Sequence, residues 1–198
     1  MDIDTNAELV AVGREVTGTD LRLTRHYAEP PEQVWSALTV AERIERWLGP
    51  VTGDLVLGGR YQVEGNAGGE ITACDPPRTF AATWEFGGHV GRIVVTLHPA
   101  ESGGTMLELV HHLPSPPDHW EEFGPGAVGI GWELALIGLV RHLADPAAPR
   151  PTPEELPDLT GMMRGAGAAW GRAATDGGAD PDWAKASADR CVAAYTGS

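Results

Sequence analysis

Residues 69–84, Gly-Glu-Ile-Thr-Ala-Cys-Asp-Pro-Pro-Arg-Thr-Phe-Ala-Ala-Thr-Trp, contain two extended runs on either side of a double proline. Proline fixes its own φ angle and disfavours the helical conformation in the residue before it. Residues 75–78, Asp-Pro-Pro-Arg, therefore predict a sharp turn. This stretch indicates two antiparallel strands joined by a tight corner, the second of which ends at Trp84.

Other strand patterns flank this corner in the chain. In residues 20–27, apolar and polar side chains alternate, which is the pattern of a strand with one buried face. The last run, 105–113, places Leu107, Leu109, His111 and Leu113 on one face. Further strands are predicted at 54–57, 60–64, 70–74, 80–86 and 92–98.

Helical patterns stand before and after these strands. Pro30 and Pro31 are suited to the first turn of a helix that carries Val34 and Trp35 on its apolar face. Thr39 and Glu42 have the spacing of a capping box, which predicts a second short helix. A long helix over 127–143 has so wide an apolar stripe that we expect it to be mostly buried.

Composition divides the chain into three parts. Residues 1–18 are polar and are expected to form a loose lead-in, and residues 19–144 hold the predicted strands and the long helix. Residues 145–198 begin with a proline-rich connector and continue with two candidate helices, over 156–174 and after a cap at Asp180. Trp170 and Trp183 in these helices predict that the extension packs on the domain.

Charge and composition exclude several functional classes. The chain has 198 residues, is 42% hydrophobic and carries a net charge of −14. A globular protein of this charge is not expected to bind nucleic acid or an anionic membrane, because both need a basic surface. The apolar run 128–140 is interrupted by Glu133 and is too short to span a bilayer, and the N-terminus has no signal pattern. We therefore expect a cytoplasmic protein.

The two cysteines, Cys74 and Cys191, have no metal or redox spacing. We expect both to be small buried or half-buried residues, as free cysteines commonly are.

Several short motifs occur in a fixed order, at 28–38, Arg46-Trp47, 58–61, 69–71, 75–78, Trp84, Gly131-Trp132, Leu136, Leu139 and His142-Leu143. Taken together, they resemble the SRPBCC (START-like) superfamily, and most closely its branch of homologs of the activator of the heat-shock protein 90 ATPase. The resemblance covers residues from about 20 to 143. The resemblance implies an α+β helix-grip fold, with a curved antiparallel sheet of six to seven strands around a long C-terminal helix. It also implies a cavity between sheet and helix, and it transfers no catalytic residue.

The inward faces of these elements are rich in large apolar side chains. A cavity lined by them would bind a small hydrophobic or aromatic molecule, whereas ordinary core packing would use the same residues. The candidate ligand-binding residues are Trp35, Trp47, Tyr61, Trp84, Phe86, Ile93, Leu109, His111, Phe123, Trp132 and Leu136.

His111 is the main polar candidate, because it lies on an apolar strand face. It would either hydrogen-bond a ligand and act as a base, or be a structural histidine bonded to its neighbours. Residues 119–123 are expected at the mouth of the cavity, either as a lid hinged at Gly124 and Gly126 or as an acidic surface loop.

We expect no metal and no cofactor. The set of His111, His119 and Glu122 matches no zinc-binding spacing, and the paired glycines lack the strand-to-helix context of a phosphate-binding loop.

Three functions follow as hypotheses. The first is binding of a small hydrophobic molecule without catalysis. The second is an enzyme resembling polyketide cyclases or aromatases of the superfamily, with His111 as its base. The third is an interaction module, either a chaperone cofactor or a homodimer.

Overall fold

The computed structural model describes residues 4–152, 155–156 and 158–197. Its elements follow the order of a helix-grip fold with an added C-terminal pair of helices. They are α1 Thr5–Val10, β1 Val12–Thr17, β2 Asp20–Tyr27, α2 Pro31–Thr39, α3 Ala41–Ile44, β3 Val51–Gly53, β4 Arg60–Val63, β5 Gly68–Asp75, β6 Thr79–Phe86, β7 His89–Pro99, β8 Thr105–His112, α4 Trp120–Phe123, α5 Gly126–Ala144, α6 Thr160–Asp176 and α7 Pro181–Thr196.

The strands form one open, curved antiparallel sheet of eight strands in the order β1-β2-β8-β7-β6-β5-β4-β3. The double-proline corner connects β5 and β6 as predicted, with the amide of Arg78 donating to the carbonyl of Asp75 at 2.8 Å. β8 lies between β2 and β7, so that His111 is opposite Leu21 on one side and Ile93 on the other. His111 therefore lies on an interior strand, the third of eight from the β1 edge.

The N-terminal segment differs from the expected loose lead-in. It contains α1 and β1, and β1 pairs with β2 along the full length of β1, which adds a strand to the six or seven expected. Val12 and Val16 face the core, while the polar residues between and around them hide the strand pattern in the sequence.

Two local predictions between α2 and β4 were also wrong. The capping box does not form, because the Thr39 hydroxyl donates to the carbonyl of Trp35 at 2.8 Å and Val40 caps α3. The predicted strand 54–57 lies outside the sheet, and the strand that pairs with β4 is β3, three residues earlier.

The long helix α5 packs across the concave face of the sheet, with Trp132, Leu136, Leu139 and Leu143 buried in the common core. By length and composition α5 resembles a membrane-crossing helix, but half of it is buried inside the protein. Its buried Glu133 is ion-paired with Arg14 of β1 at 2.6 Å. We conclude that α5 is the core helix of the grip.

The C-terminal helices pack on the domain. Trp170 of α6 is fully buried, and its indole nitrogen donates to Glu133 at 2.7 Å. The expected cap of α7 is present, because the Asp180 carboxylate accepts from the amide of Trp183 at 2.9 Å. Of the two cysteines, Cys191 is buried in α7 as expected, whereas Cys74 is exposed near the end of β5.

Candidate functional site: a pocket at the mouth of the grip

The space directly between sheet and α5 is almost filled by side chains. The remaining cavity, called here the inner cavity, has a volume of about 90 Å³. A designed cavity of about 150 Å³ holds benzene, so the inner cavity offers less room than one aromatic ring requires. It is lined by Trp47, Tyr61, Trp84, Ile93, Leu109, Trp132 and Leu136, among other apolar residues. These seven predicted residues therefore belong mainly to the core.

A larger pocket of about 410 Å³ lies at the end of the grip, and is called here the mouth pocket. Its walls come from the β6–β7 hairpin, the segment around α4, and the first half of α5. Trp84 and Trp132 line both this pocket and the inner cavity, with ring centroids 4.7 Å apart. These two rings therefore lie between the mouth pocket and the filled core and line both.

His111 forms part of the mouth pocket beside these two rings. Its imidazole is only 3% exposed, and it meets Trp84 and Trp132 nearly edge to face at centroid distances of 6.3 Å and 5.9 Å. The indole nitrogen of Trp132 donates to Nδ1 of His111 at 3.1 Å. The sheet and the long helix therefore fix the ring orientation together.

The bond to Trp132 determines the protonation state of His111. An indole N–H can only donate, so Nδ1 must be an unprotonated acceptor, and the neutral ring carries its proton on Nε2. Burial, with a smaller contribution from His112, lowers the pKa of His111 to about 4, while Asp20 acts weakly in the opposite direction. At neutral pH the side chain is an uncharged hydrogen-bond donor.

The Nε2–H group of His111 is buried and has no hydrogen-bond partner among the described residues. Space beside it exists because position 91 is glycine: a Cβ atom there would lie 2.6 Å from Nε2. Gly91 also lines the mouth pocket, and in the β6–β7 pairing it lies opposite Trp84. An unpaired buried donor costs on the order of 1–3 kcal/mol, which a ligand acceptor would relieve.

The segment at the mouth pocket, residues 119–127, is held in place by contacts with α7. The carbonyl of Glu121 accepts from the Trp183 indole at 3.1 Å, and that of Glu122 accepts from the Arg190 guanidinium at 2.7 Å. The Tyr195 hydroxyl donates to the carbonyl of Ala127 at 2.9 Å, and Tyr195 itself lines the pocket. Gly124 approaches Ser187 of α7 closely, since a Cβ there would be 2.8 Å from the serine oxygen. These contacts favour a braced wall over a freely hinged lid.

The structure separates the remaining predicted site residues. Trp35 packs edge to face on Phe80 at 5.9 Å, and Phe123 lies near His119 at 6.4 Å. Among the described residues, neither Trp35 nor Phe123 lines the inner cavity or the mouth pocket. Phe86, expected to face inward, is 57% exposed and lies at the rim of the mouth pocket, because it is the last residue of β6, beside the exposed turn at Gly87 and Gly88.

Sequence reasoning missed many contributors to the mouth pocket, among them Gly91, His89 and Tyr195. The predicted strand began at residue 92, whereas β7 begins at His89, so Gly91 was not recognised as a glycine within a strand, which often marks a close approach. In the described part of the chain, no group of three or more His, Cys, Asp or Glu side chains is arranged to hold a metal ion.

Comparison with known proteins places these features in a family. The family model described as activator of Hsp90 ATPase homolog 1-like protein matches residues 28–144. Among proteins with curated descriptions, none matches this chain significantly.

Several solved structures are similar over most of the chain. The crystal structure of CalU16 from Micromonospora echinospora is 31% identical, covers 83% of this chain and 96% of its own, and has a TM-score of 0.63. Its solution NMR structure gives 31% identity, 84% and 94% coverage and a TM-score of 0.67. A Rhodobacter sphaeroides protein is 26% identical, covers 67% of this chain and 97% of its own, and has a TM-score of 0.56.

Proposed function

The chain belongs to the family of activator of Hsp90 ATPase homolog 1-like proteins, and from that premise we propose that its mouth pocket binds a small aromatic or hydrophobic molecule bearing an oxygen acceptor. The observation that carries the proposal is the unpartnered Nε2–H of His111 beside the rings of Trp84 and Trp132. The rings would supply apolar contact, and the imidazole would select for a carbonyl, ether or hydroxyl oxygen.

The pocket has the size and chemistry for such a guest. Its volume of about 410 Å³ lies in the range of small-molecule sites, whereas the inner cavity does not. The proposed ligand therefore lies at the end of the grip, and not deep between sheet and helix. A location in the cytoplasm is part of this proposal, since the chemistry described needs no other compartment.

The alternative of a cyclase- or aromatase-like enzyme with His111 as its base has less support. The Nδ1 lone pair is occupied by the Trp132 indole, Nε2 carries the proton, and a pKa of about 4 makes the ring a weak base at neutral pH. If a reaction occurs, the geometry favours His111 as a donor to a carbonyl oxygen. The pH dependence of such an activity would distinguish the two roles. An activity that needs the Nε2–H donor should stay constant around neutral pH, whereas a general base with a pKa near neutrality should make the activity change there.

A homodimer is a further proposal, motivated by exposed Phe86 and Val90 on the β6–β7 hairpin, each 57% accessible. Light scattering coupled to size-exclusion chromatography tests it directly. A monomer at all concentrations would reject the dimer and leave the ligand-binding proposal unaffected.

A matched pair of ligands tests the binding proposal. We would titrate 2-acetylnaphthalene and its hydrocarbon isostere 2-isopropenylnaphthalene by calorimetry and tryptophan fluorescence. The ketone should bind about tenfold more tightly, because it alone can accept from His111. The variant His111→Phe should lose this preference, while His98→Phe, at an exposed position on β7, should keep it. Equal affinities in the wild-type protein would contradict the proposal.

A further inference from the structure

A third cavity, larger than the other two, lies on another side of α5, between this helix, the segment that follows α3 and the connector that follows α5. Its volume is about 720 Å³, and we call it the connector chamber. Apolar side chains form much of its wall: Trp47, Leu48, Leu134, Ile137, Leu156, Leu159 and Met163. Leu48, Asn66, Gly131 and Ala135 line both this chamber and the mouth pocket, so the two spaces adjoin along α5.

The connector chamber carries an unusual concentration of positive charge for this chain. Arg46, Arg141 and Arg150 line it, and Asp145 is the one acidic residue among the described residues of its wall, although the whole protein has a net charge of −14. Within the described ranges, none of these three guanidinium groups has a side-chain hydrogen bond or an ion pair. Arg46 and Arg150 are exposed and Arg141 is half-buried, and three arginines without a protein partner among the described residues, beside one partly apolar cavity, suit an anionic group.

The three arginines reach the chamber from different segments of its wall. The guanidinium of Arg150 lies against Gly49, where a Cβ atom would be 3.4 Å from its Nη1. Arg46 is close enough to His142 to act on it electrostatically, together with Arg43. Arg141 is the chain neighbour of His142 in the last turn of α5.

His142 provides a second and independent sign of a ligand. It is 4% exposed and lines the chamber. The Arg43 guanidinium donates to its Nε2 at 3.1 Å, so Nε2 is the acceptor and Nδ1 carries the proton of the neutral ring. This Nδ1–H group is buried and without a partner in the described part of the chain.

We propose that the connector chamber binds an anionic amphiphile, with its carboxylate or phosphate head group held by Arg46, Arg141, Arg150 and Nδ1–H of His142, and its apolar part against α5 and the connector. The chamber thereby differs from the mouth pocket, where the polar contact is a single neutral donor. This site does not depend on the function proposed for the mouth pocket.

The test uses three ten-carbon probes below their micellar concentrations: decanoate, decyl phosphate and decanol. Calorimetry should show decanoate or decyl phosphate binding at least about tenfold more tightly than decanol, because charge-assisted hydrogen bonds are the strong ones. The ratio of the two anions distinguishes a carboxylate from a phosphate ligand. The imidazole N–H signal of His142 in NMR spectra should shift with the preferred anion and not with decanol.

Charge-removing variants provide the control. The double variant Arg46→Gln/Arg141→Gln should lose the preference for the anion while keeping its affinity for decanol, and Arg172→Gln on the exposed side of α6 should behave like the wild type. Equal binding of decanol and both anions, or a preference that survives the double variant, would overturn the proposal. Binding of 2-acetylnaphthalene to the double variant reports on the mouth pocket separately, so the two proposals can fail independently.

Discussion

The mouth pocket and the connector chamber each contain a buried histidine next to α5: His111 lies on β8 and His142 on α5 itself. In each, a buried neutral histidine accepts a hydrogen bond through one ring nitrogen, from Trp132 in the mouth pocket and from Arg43 in the connector chamber. In each, the other ring nitrogen carries an unpartnered proton, as far as the described residues extend. The surroundings differ, because aromatic rings flank His111 whereas arginines flank His142. The comparison teaches that the neighbours of a histidine, and not its burial alone, decide which ligand it would select.

The largest expected effect comes from the ion pair that holds α5 to the rest of the protein. Glu133 is fully enclosed and pairs with Arg14, while Trp170 donates to the same carboxylate. Arg14→Ala would leave a buried charge without its partner and should lower the free energy of unfolding by about 3–5 kcal/mol in urea titrations. Because α5 carries both Trp132 and His142, ligand binding at both sites should weaken together.

The control for this change is Arg22→Ala, at an ion pair with Glu15 and Glu108 on the more exposed face of the sheet. Exposed pairs contribute less than about 1 kcal/mol, so stability should change little. A similar loss in both variants would contradict the assigned role of Glu133.

The next effect is a dependence of stability on pH. The folded-state pKa of His111, about 4, lies below that of an unfolded histidine near 6.5, so the unfolded chain binds the extra proton first as pH falls. The contribution of neutral His111 to the free energy of unfolding is fully present above a pH of about 6.5. It should be lost as the pH falls from about 6.5 to about 4, by about 3 kcal/mol in total. Urea titrations across this range measure it.

His142 should contribute to the same pH dependence of stability, because burial and the charges of Arg43 and Arg46 also lower its pKa. The variants His111→Gln and His142→Gln should each flatten the pH dependence, and the double variant should flatten it further. His98→Gln, which changes an exposed histidine, should keep the wild-type slope. An unchanged slope in His111→Gln would show that this side chain titrates normally.

A third, smaller effect is expected from Gly91→Ala. The added methyl group would crowd Nε2 of His111, so that ring or strand must shift. We expect a loss of about 1–3 kcal/mol in stability and loss of the ketone preference in the mouth pocket. Decanoate binding in the connector chamber should remain. Gly161→Ala, with open space around the new atom, should not affect either ligand.

The smallest effect concerns the brace between α7 and the mouth pocket. Tyr195→Phe removes the hydrogen bond to Ala127 and should cost about 0.5–1.5 kcal/mol. The ketone should bind a few-fold more weakly and decanoate as before, as measured by calorimetry. Equal weakening of both ligands would indicate that the two sites are not separate.

The sequence was sufficient for elements whose side chains alternate or recur at helical spacing. It predicted β2, β6, β8, α5 and the corner between β5 and β6 close to their positions in the structure. It missed β1 because Arg14 lies within the strand, and its partner Glu133 is 119 residues away in the chain. Such a long-range ion pair leaves no local pattern.

The candidate site was predictable only in part. Strand alternation correctly predicted that His111 is buried, but its bond to Trp132 depends on how α5 is rotated over the sheet. The connector chamber was missed because its wall combines four separated segments of the chain. Arg141 and His142 fit a helix end in the sequence, where basic residues are common for electrostatic reasons alone.

The most direct test of the account is the tautomer of His111, measured from ring ¹⁵N chemical shifts at neutral pH with and without 2-acetylnaphthalene. We expect a neutral ring with its proton on Nε2, and a shift of that N–H signal when the ketone binds but not when 2-isopropenylnaphthalene is added. A proton on Nδ1, or a doubly protonated ring at neutral pH, would contradict the account of His111 as the donor of the mouth pocket.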